Sequence, residues 1–216
     1  MNKIILIVFF ECLSKVLNSK KAALKAVQIE WTHETKLSPP QLISYVFNKC
    51  RRDGLGSANW NGYLFEALIH RLLLESGIDQ KCILINAKLA LIEDTKYDIV
   101  LCGQRMRSNK QFPICLSLKT SLRERYKQAE REGMIAKQVH RGSFTALLTM
   151  EEKIPETLYG LDRIVGCNNP THLADLLSEI KSMNLVIFDK IRPIGCLISK
   201  GESAAIKKSH RKPSGN

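Results

Sequence analysis

The sequence predicts an α/β fold, on three observations. Apolar residues recur at helical spacing through residues 41–47 and again through 64–73. Two β-rich runs, residues 96–102 and 113–119, flank a short polar turn, which is the pattern of a hairpin. Beyond them the chain alternates a charged helix, strand-like runs at 144–150 and 162–166, and a further helix from residue 171. With 216 residues, 44% hydrophobic and 25% charged, the chain fits one ordinary domain with a possible appendage and can bury a real core.

The charge balance narrows the choice of partner. Thirty-three basic residues against 21 acidic ones leave a formal charge of +12. That favours a polyanion, nucleic acid first, because neutralising phosphates releases their counterions. The seven cysteines, Cys12, Cys50, Cys82, Cys102, Cys115, Cys167 and Cys196, are odd in number and never spaced Cys-x-x-Cys. Reduced thiols in a cytoplasm are therefore expected, with neither a disulfide framework nor a zinc site. The apolar start, Ile4 to Phe10, ends at Glu11, is too short to span a bilayer and leads to no small-residue cleavage site. It reads as a segment packed on the domain or on a second subunit, and no membrane association is expected.

In chain order, residues 12–30 read as a helix with a polar face. Ser38-Pro-Pro40 starts a second helix, proline being tolerated in the first turn, and Arg51-Arg-Asp-Gly54 ends it. Arg51 and Arg52 read either as phosphate contacts or as a solvated helix end favoured by the dipole. A third helix opens at Ser57-Ala-Asn-Trp-Asn61, carries Leu64, Phe65, Leu68, Ile69, Leu72 and Leu73 on one stripe, and closes at Gly77. Glu66 flanks that stripe, which by itself suits a surface charge or part of a polar site.

Residues 81–92 suit one bent strand or two short ones. The hairpin 96–102 and 113–119 then brings Asp98, near the start of one strand, opposite Lys119, at the end of the other. The following helix, about 122–138, has its stripe at Leu122, Tyr126, Ala129, Gly133 and Ala136. At 100° per residue, Arg125 and Glu132 share one flank of that stripe, Glu130 lies on the other and Arg131 faces away. Residues 185–188 suit a last strand or a buried helix end. From Lys200 the chain is Gly, Ser, Lys, Arg and Pro with few apolar residues, which predicts a disordered basic tail over 200–216.

Asp98, a second carboxylate and Lys119 are the groups that a Mg²⁺-dependent phosphodiesterase needs: hard oxygens for the metal and a cation for the attacked phosphate. The order helix, strand with Asp, strand ending x-x-Lys, helix, strand resembles the PD-(D/E)xK nuclease core. Tyr97 stands where the motif has proline, and Ser117 where it has an acid. The second departure is itself a pattern. Ser117-Leu-Lys119, followed by Arg123-Glu-Arg125 four residues after the lysine and by Glu132 thirteen residues after it, resembles the EcoRII, SsoII and PspGI-like branch of type II restriction endonucleases. In that branch the missing carboxylate comes from the next helix, and a glutamate on the helix before the sheet matches Glu66. The similarity covers roughly residues 57–166.

The resemblance implies a restriction-endonuclease-like core over 57–199, a small mixed β-sheet with helices on both faces, preceded by a helical region (1–56) for dimerisation or DNA contact. It implies that Asp98, Glu132 and the backbone carbonyl of Leu118 hold Mg²⁺, that Lys119 orients water and steadies the phosphorane, and that Glu66 completes the site. Ser117 would be a bystander. Arg123, Glu124 and Arg125 would read C·G pairs in the major groove, arginine forks matching guanine O6 and N7 and glutamate accepting from cytosine N4.

The implied partners are double-stranded DNA with a palindromic site of the CCNGG, CCWGG or CCGG kind, a second copy of the chain in a two-fold dimer, and a cognate cytosine methyltransferase acting on the same sites. Trp31 or Trp60 would suit stacking on an extruded central base, core packing being the alternative, and the better one for Trp60. Two other readings use the same residues: a DNA-binding relative that does not cleave, and a different PD-(D/E)xK nuclease, of repair or a mobile element, whose Arg-Glu-Arg clamps phosphate. A plain solvated helix with paired charges is the non-functional alternative for residues 122–138.

Overall fold

A computed structural model describes residues 20–34, 36–52, 58–89, 92, 95–105, 110–123, 125–186 and 197–198. The expected helix at 12–30 is helical over residues 20–33 (α1), its first part lying outside the described residues. α2 (Pro39–Arg52) starts where the two prolines predict. The Gln41 side chain reaches back to accept from the Ser38 backbone N–H at 2.9 Å, the glutamine half of a capping box. α3 (Ala58–Glu75) buries its predicted stripe completely, with Leu64, Phe65, Leu68, Ile69, Leu72 and Leu73 all at 1% exposure or less. Gly77, at φ +85°, then turns the chain while Ile78 N–H donates to the Leu73 carbonyl, a left-handed stop that suits glycine.

The segment at 81–92 splits differently from the expectation. Residues Gln80–Cys82 form a 3₁₀ turn started by the Asp79 carboxylate, which accepts from Lys81 N–H, so the strand β1 is Leu84–Leu89. β2 (Tyr97–Gln104) and β3 (Gln111–Lys119) form the predicted hairpin, each longer than its apolar run, because ladder pairing continues through Gly103↔Phe112 and Gln104↔Gln111. α4 (Tyr126–Val139) follows, then β4 (Phe144–Thr149), β5 (Arg163–Gly166) and α5 (Pro170–Ser182). A two-residue strand, β6 (Leu197–Ile198), pairs with β1. Leu185 makes a single antiparallel bridge to Gly103, and of the expected last strand or helix end at 185–188, residues 187 and 188 lie outside the described residues. Residues 200–216, expected as a disordered tail, lie outside the described residues.

The fold is α/β with a mixed sheet in the order β5-β4-β3-β2-β1-β6. β1, β2 and β3 are antiparallel; β3, β4 and β5 are parallel, α4 bridging the first of these crossovers. Alternation along the strands separates two apolar layers. Ile99, Leu101, Ile114, Leu116 and Leu148 face one way, into a core shared with α1, α2, α3 and α5. Val100 and Cys115 face the other way and meet Ala136 of α4, while Leu147 meets Ala129 of the same helix. Both tryptophans are buried, Trp31 within the larger core, which supports core packing for them.

α4 lies close against the chain behind it. A β-carbon at Gly133 would collide with the Gly160 carbonyl oxygen and the Leu161 side chain, and Gly160 itself sits at φ +80°. The two glycines let the loop before β5 press on the helix. Among the described residues, no helix is long and apolar enough to cross a membrane.

Candidate active site

The edge where β2 and β3 stop pairing is where the polar groups gather. The regular ladder ends at Ile99↔Leu116. One residue further, the Asp98 carboxylate takes over: Oδ2 accepts from Leu118 N–H at 2.7 Å and lies 3.1 Å from Lys119 Nζ. A side chain thus completes the hairpin, and the aspartate is fixed by the backbone of the very strand that carries the lysine. Lys119 is almost fully enclosed, its side chain 6% exposed. A charge so placed requires partners.

The second partner comes from α4. Glu132 Oε2 lies 3.9 Å from Lys119 Nζ and accepts from Ser117 Oγ at 2.6 Å, while Oε1 accepts from Gln128 Nε2 at 2.7 Å. The helix turns Glu132 inward beside Ala129, Gly133 and Ala136, all buried, as the flank geometry predicts. Burial pushes its carboxyl above the usual carboxylate range; Lys119 opposes that, the Ser117 hydrogen bond opposes it further, and Asp98 adds to the rise. Ser117, expected as a bystander, thus donates its hydroxyl to the Glu132 carboxylate and helps to orient it.

Tyr97 has a similar surprise. It is 1% exposed, and its hydroxyl donates to the backbone carbonyl of Glu132 at 2.9 Å. The residue before Asp98 is thus tied directly to the residue that carries the second carboxylate. The sequence offered only the absence of a proline here. For Gln128 a signal existed, because residues four apart on a helix are neighbours.

Glu66 stands at the margin of this group. It is half-buried on α3, 3.6 Å from Lys20 Nζ. Burial raises its carboxyl; Lys20 lowers it, Asp98 raises it, and hydrogen bonds from Asn86 and Lys20 lower it again. The ion-pair partner of Glu66 is Lys20, and Asp98 acts on it only through its charge. Asn86 falls between the ladder pairs Ile85↔Ile99 and Ala87↔Tyr97, hence opposite Asp98, and holds a left-handed φ of +53° that asparagine tolerates.

The Arg-Glu-Arg triplet is placed differently from the expected helix start. The carbonyl of Leu122 accepts from both Arg125 and Tyr126 N–H, so a turn precedes the helix and α4 begins at Tyr126. Arg123 and Arg125 are exposed on that turn, and Glu124 lies outside the described residues. Arg123 lines a cleft of about 690 Å³ with Arg51 at the end of α2, Thr120 and Ser121 after β3, and Glu152 and Lys153 after β4. Arg51 thus shares a surface with Arg123 and with Thr120, the residue after Lys119, while Asp98, Lys119 and Glu132 do not line the cleft.

Among the described residues, no three His, Cys, Asp or Glu side chains converge as a metal site. What converges is two carboxylates around one ammonium. Hard oxygens from two acids suit Mg²⁺, which keeps several waters and is completed by substrate phosphate. No family model matches the chain, and no curated protein is significantly similar to it in sequence. The geometry therefore carries the functional reading.

Proposed function

We propose that this chain is a type II restriction endonuclease of the PD-(D/E)xK kind, with a restriction-endonuclease-like core, cutting double-stranded DNA in a Mg²⁺-dependent reaction at a short palindrome with outer CC/GG. The observation that carries the reading is the meeting of Asp98, Lys119 and Glu132 at one edge of the sheet, with Ser117 bonded to Glu132. A helix supplies the carboxylate that the strand lacks, and the strand residue in its place still serves that carboxylate.

Asp98 and Glu132 would hold the Mg²⁺ with the carbonyl of Leu118, and the ion would supply charge to the attacked phosphate and lower the pKa of a bound water. The chain's own part is positional and electrostatic. Lys119, held by both carboxylates, is in place to orient water toward phosphorus and to offset the negative charge that develops on the phosphoryl oxygens. Water adds to phosphorus and the bond to the 3′ oxygen breaks, leaving a 5′-phosphate and a 3′-hydroxyl. Glu66 would complete the site, through water or a second metal ion. Arg123, Glu124 and Arg125 would read the outer C·G pairs, Arg123 from the wall of the cleft, and Arg51 and Lys153 on the same cleft are available to the phosphodiester backbone. Since one such site cuts one strand, a palindrome calls for a two-fold dimer.

Incubating plasmid DNA with the protein and Mg²⁺, then sequencing the fragment ends, tests this. Discrete bands with 5′-phosphate ends at a CC/GG palindrome are expected. Retention of DNA without cutting would favour an inactive relative, and smearing or structure-specific nicking a different nuclease of the same superfamily. The Glu124→Ala variant should lose about 1 to 3 kcal/mol of discrimination at each C·G pair it reads.

A further inference from the structure

A carboxylate moved from a strand to a helix needs a means of staying in register with the sheet. On a strand, backbone pairing on both sides fixes a side chain's origin. On a helix laid over the sheet, small slides or rotations shift the origin, and the three side-chain torsions of glutamate widen the spread. Ligand and catalytic groups tolerate errors of only about 0.5 Å before they lose effectiveness.

Here three hydrogen bonds restrain Glu132, one at its backbone carbonyl and one at each carboxylate oxygen. Its backbone is held by Tyr97, whose hydroxyl donates to the Glu132 carbonyl at 2.9 Å from the residue next to Asp98. One carboxylate oxygen is held from the sheet by Ser117 at 2.6 Å, and the other from within α4 by Gln128 at 2.7 Å. The strand carrying Asp98, the strand carrying Lys119 and the helix carrying Glu132 are thereby joined through one residue.

We propose that Tyr97 and Gln128 are positioning residues that, with Ser117, brace the helix-borne carboxylate of Glu132 against Asp98 so that the pair presents a fixed oxygen set to a divalent cation. The inference rests on the nuclease reading of this site and adds two residues that neither the motif nor its spacing assigns. Neither residue touches substrate in this role. Tyr97 fixes the origin of the side chain and Gln128 its final torsion, and loss of either widens the distance between the two carboxylates' working oxygens.

The test uses Mn²⁺ as probe, titrated into the full-length protein without DNA and followed by electron paramagnetic resonance of the free ion. It compares wild type with Gln128→Met and Tyr97→Phe. Gln128 is exposed and methionine keeps its length and helix propensity; phenylalanine removes a single oxygen. Both variants should therefore melt as folded proteins. Partners of metal ligands typically change affinity by about 10- to 100-fold, and a loss of about tenfold in Mn²⁺ affinity is expected for each variant. In cleavage assays the Mg²⁺ requirement of Gln128→Met should rise by a similar factor while the rate at saturating Mg²⁺ recovers, a split that a general loss of fold would not give. Wild-type binding of Mn²⁺ with both variants binding equally well would overturn the brace alone. A wild type that neither bound Mn²⁺ nor cut DNA would overturn the nuclease reading and the brace with it.

Discussion

Replacing Lys119 by methionine removes a charge and keeps the volume, which isolates what the ammonium does for the two carboxylates. Its side chain is 6% exposed and sits 3.1 Å from Asp98 and 3.9 Å from Glu132. Removing one partner of a buried ion pair costs about 3 to 5 kcal/mol. The carboxylates are not left bare: Asp98 is 23% exposed and keeps the Leu118 N–H, and Glu132 keeps Ser117 and Gln128. The lower end, about 3 kcal/mol near neutral pH, is therefore expected, and for a chain of this size that is about 6 to 12 °C in Tm.

The loss should depend on pH in a definite direction. Lys119 now lowers the Glu132 carboxyl, which burial holds above its usual range. Without the lysine that carboxyl rises further, so the variant's deficit is absent below the unfolded carboxylate pKa and grows as pH rises through the folded value. Mg²⁺ should restore Tm more strongly in Lys119→Met than in wild type, because a divalent cation fills the place of the lost charge. Melting curves at several pH values with and without Mg²⁺ measure all of this, and cleavage by the variant should be at background. A variant as stable as wild type at high pH and indifferent to Mg²⁺ would refute the view of Lys119 as the shared counter-charge.

Glu66→Gln should raise Tm at about pH 8 and leave it unchanged at about pH 4, since a carboxyl raised by burial weakens the fold only as pH climbs through its folded value; an equal gain at both would point to packing instead. Gly133→Ala should cost about 1 to 3 kcal/mol by forcing α4 away from the Gly160 carbonyl, measured by denaturant unfolding. Arg51→Ala should weaken DNA binding evenly across sequences and lower the slope of log affinity against log salt by about 1, as read from binding at several salt concentrations.

Much of this site was legible because two periodicities place side chains without any tertiary knowledge. A hairpin pairs the start of one strand with the end of the next, so the meeting of the Asp98 and Lys119 side chains followed from two apolar runs and a turn, although the register sets Ser117 rather than Lys119 directly across from Asp98. Helical spacing put Glu132 on the inward flank of its helix, and there it is buried. The start of α4 was less legible, since the Leu122 carbonyl gathers both Arg125 and Tyr126 N–H into a turn and shifts Arg123 out of the helix. The split of residues 81–92 depended on one Asp79 hydrogen bond. Ser117 and Tyr97 were read as departures from a motif, because spacing names the face a residue occupies but not the atom its oxygen meets. Glu66 was ambiguous for the same reason: its partners Lys20 and Asn86 lie far from it in sequence.

The proposed reaction requires the helix-borne carboxylate of Glu132 to serve where a strand-borne one otherwise would. Single-turnover cleavage of an end-labelled duplex carrying the mapped site, with saturating Mg²⁺, compares wild type and Glu132→Gln most directly. The substitution keeps the shape of the side chain and the Ser117 contact but removes the charge. The account predicts cleavage by wild type and none above background by Glu132→Gln, with DNA binding retained. Equal cleavage by the two proteins would contradict it.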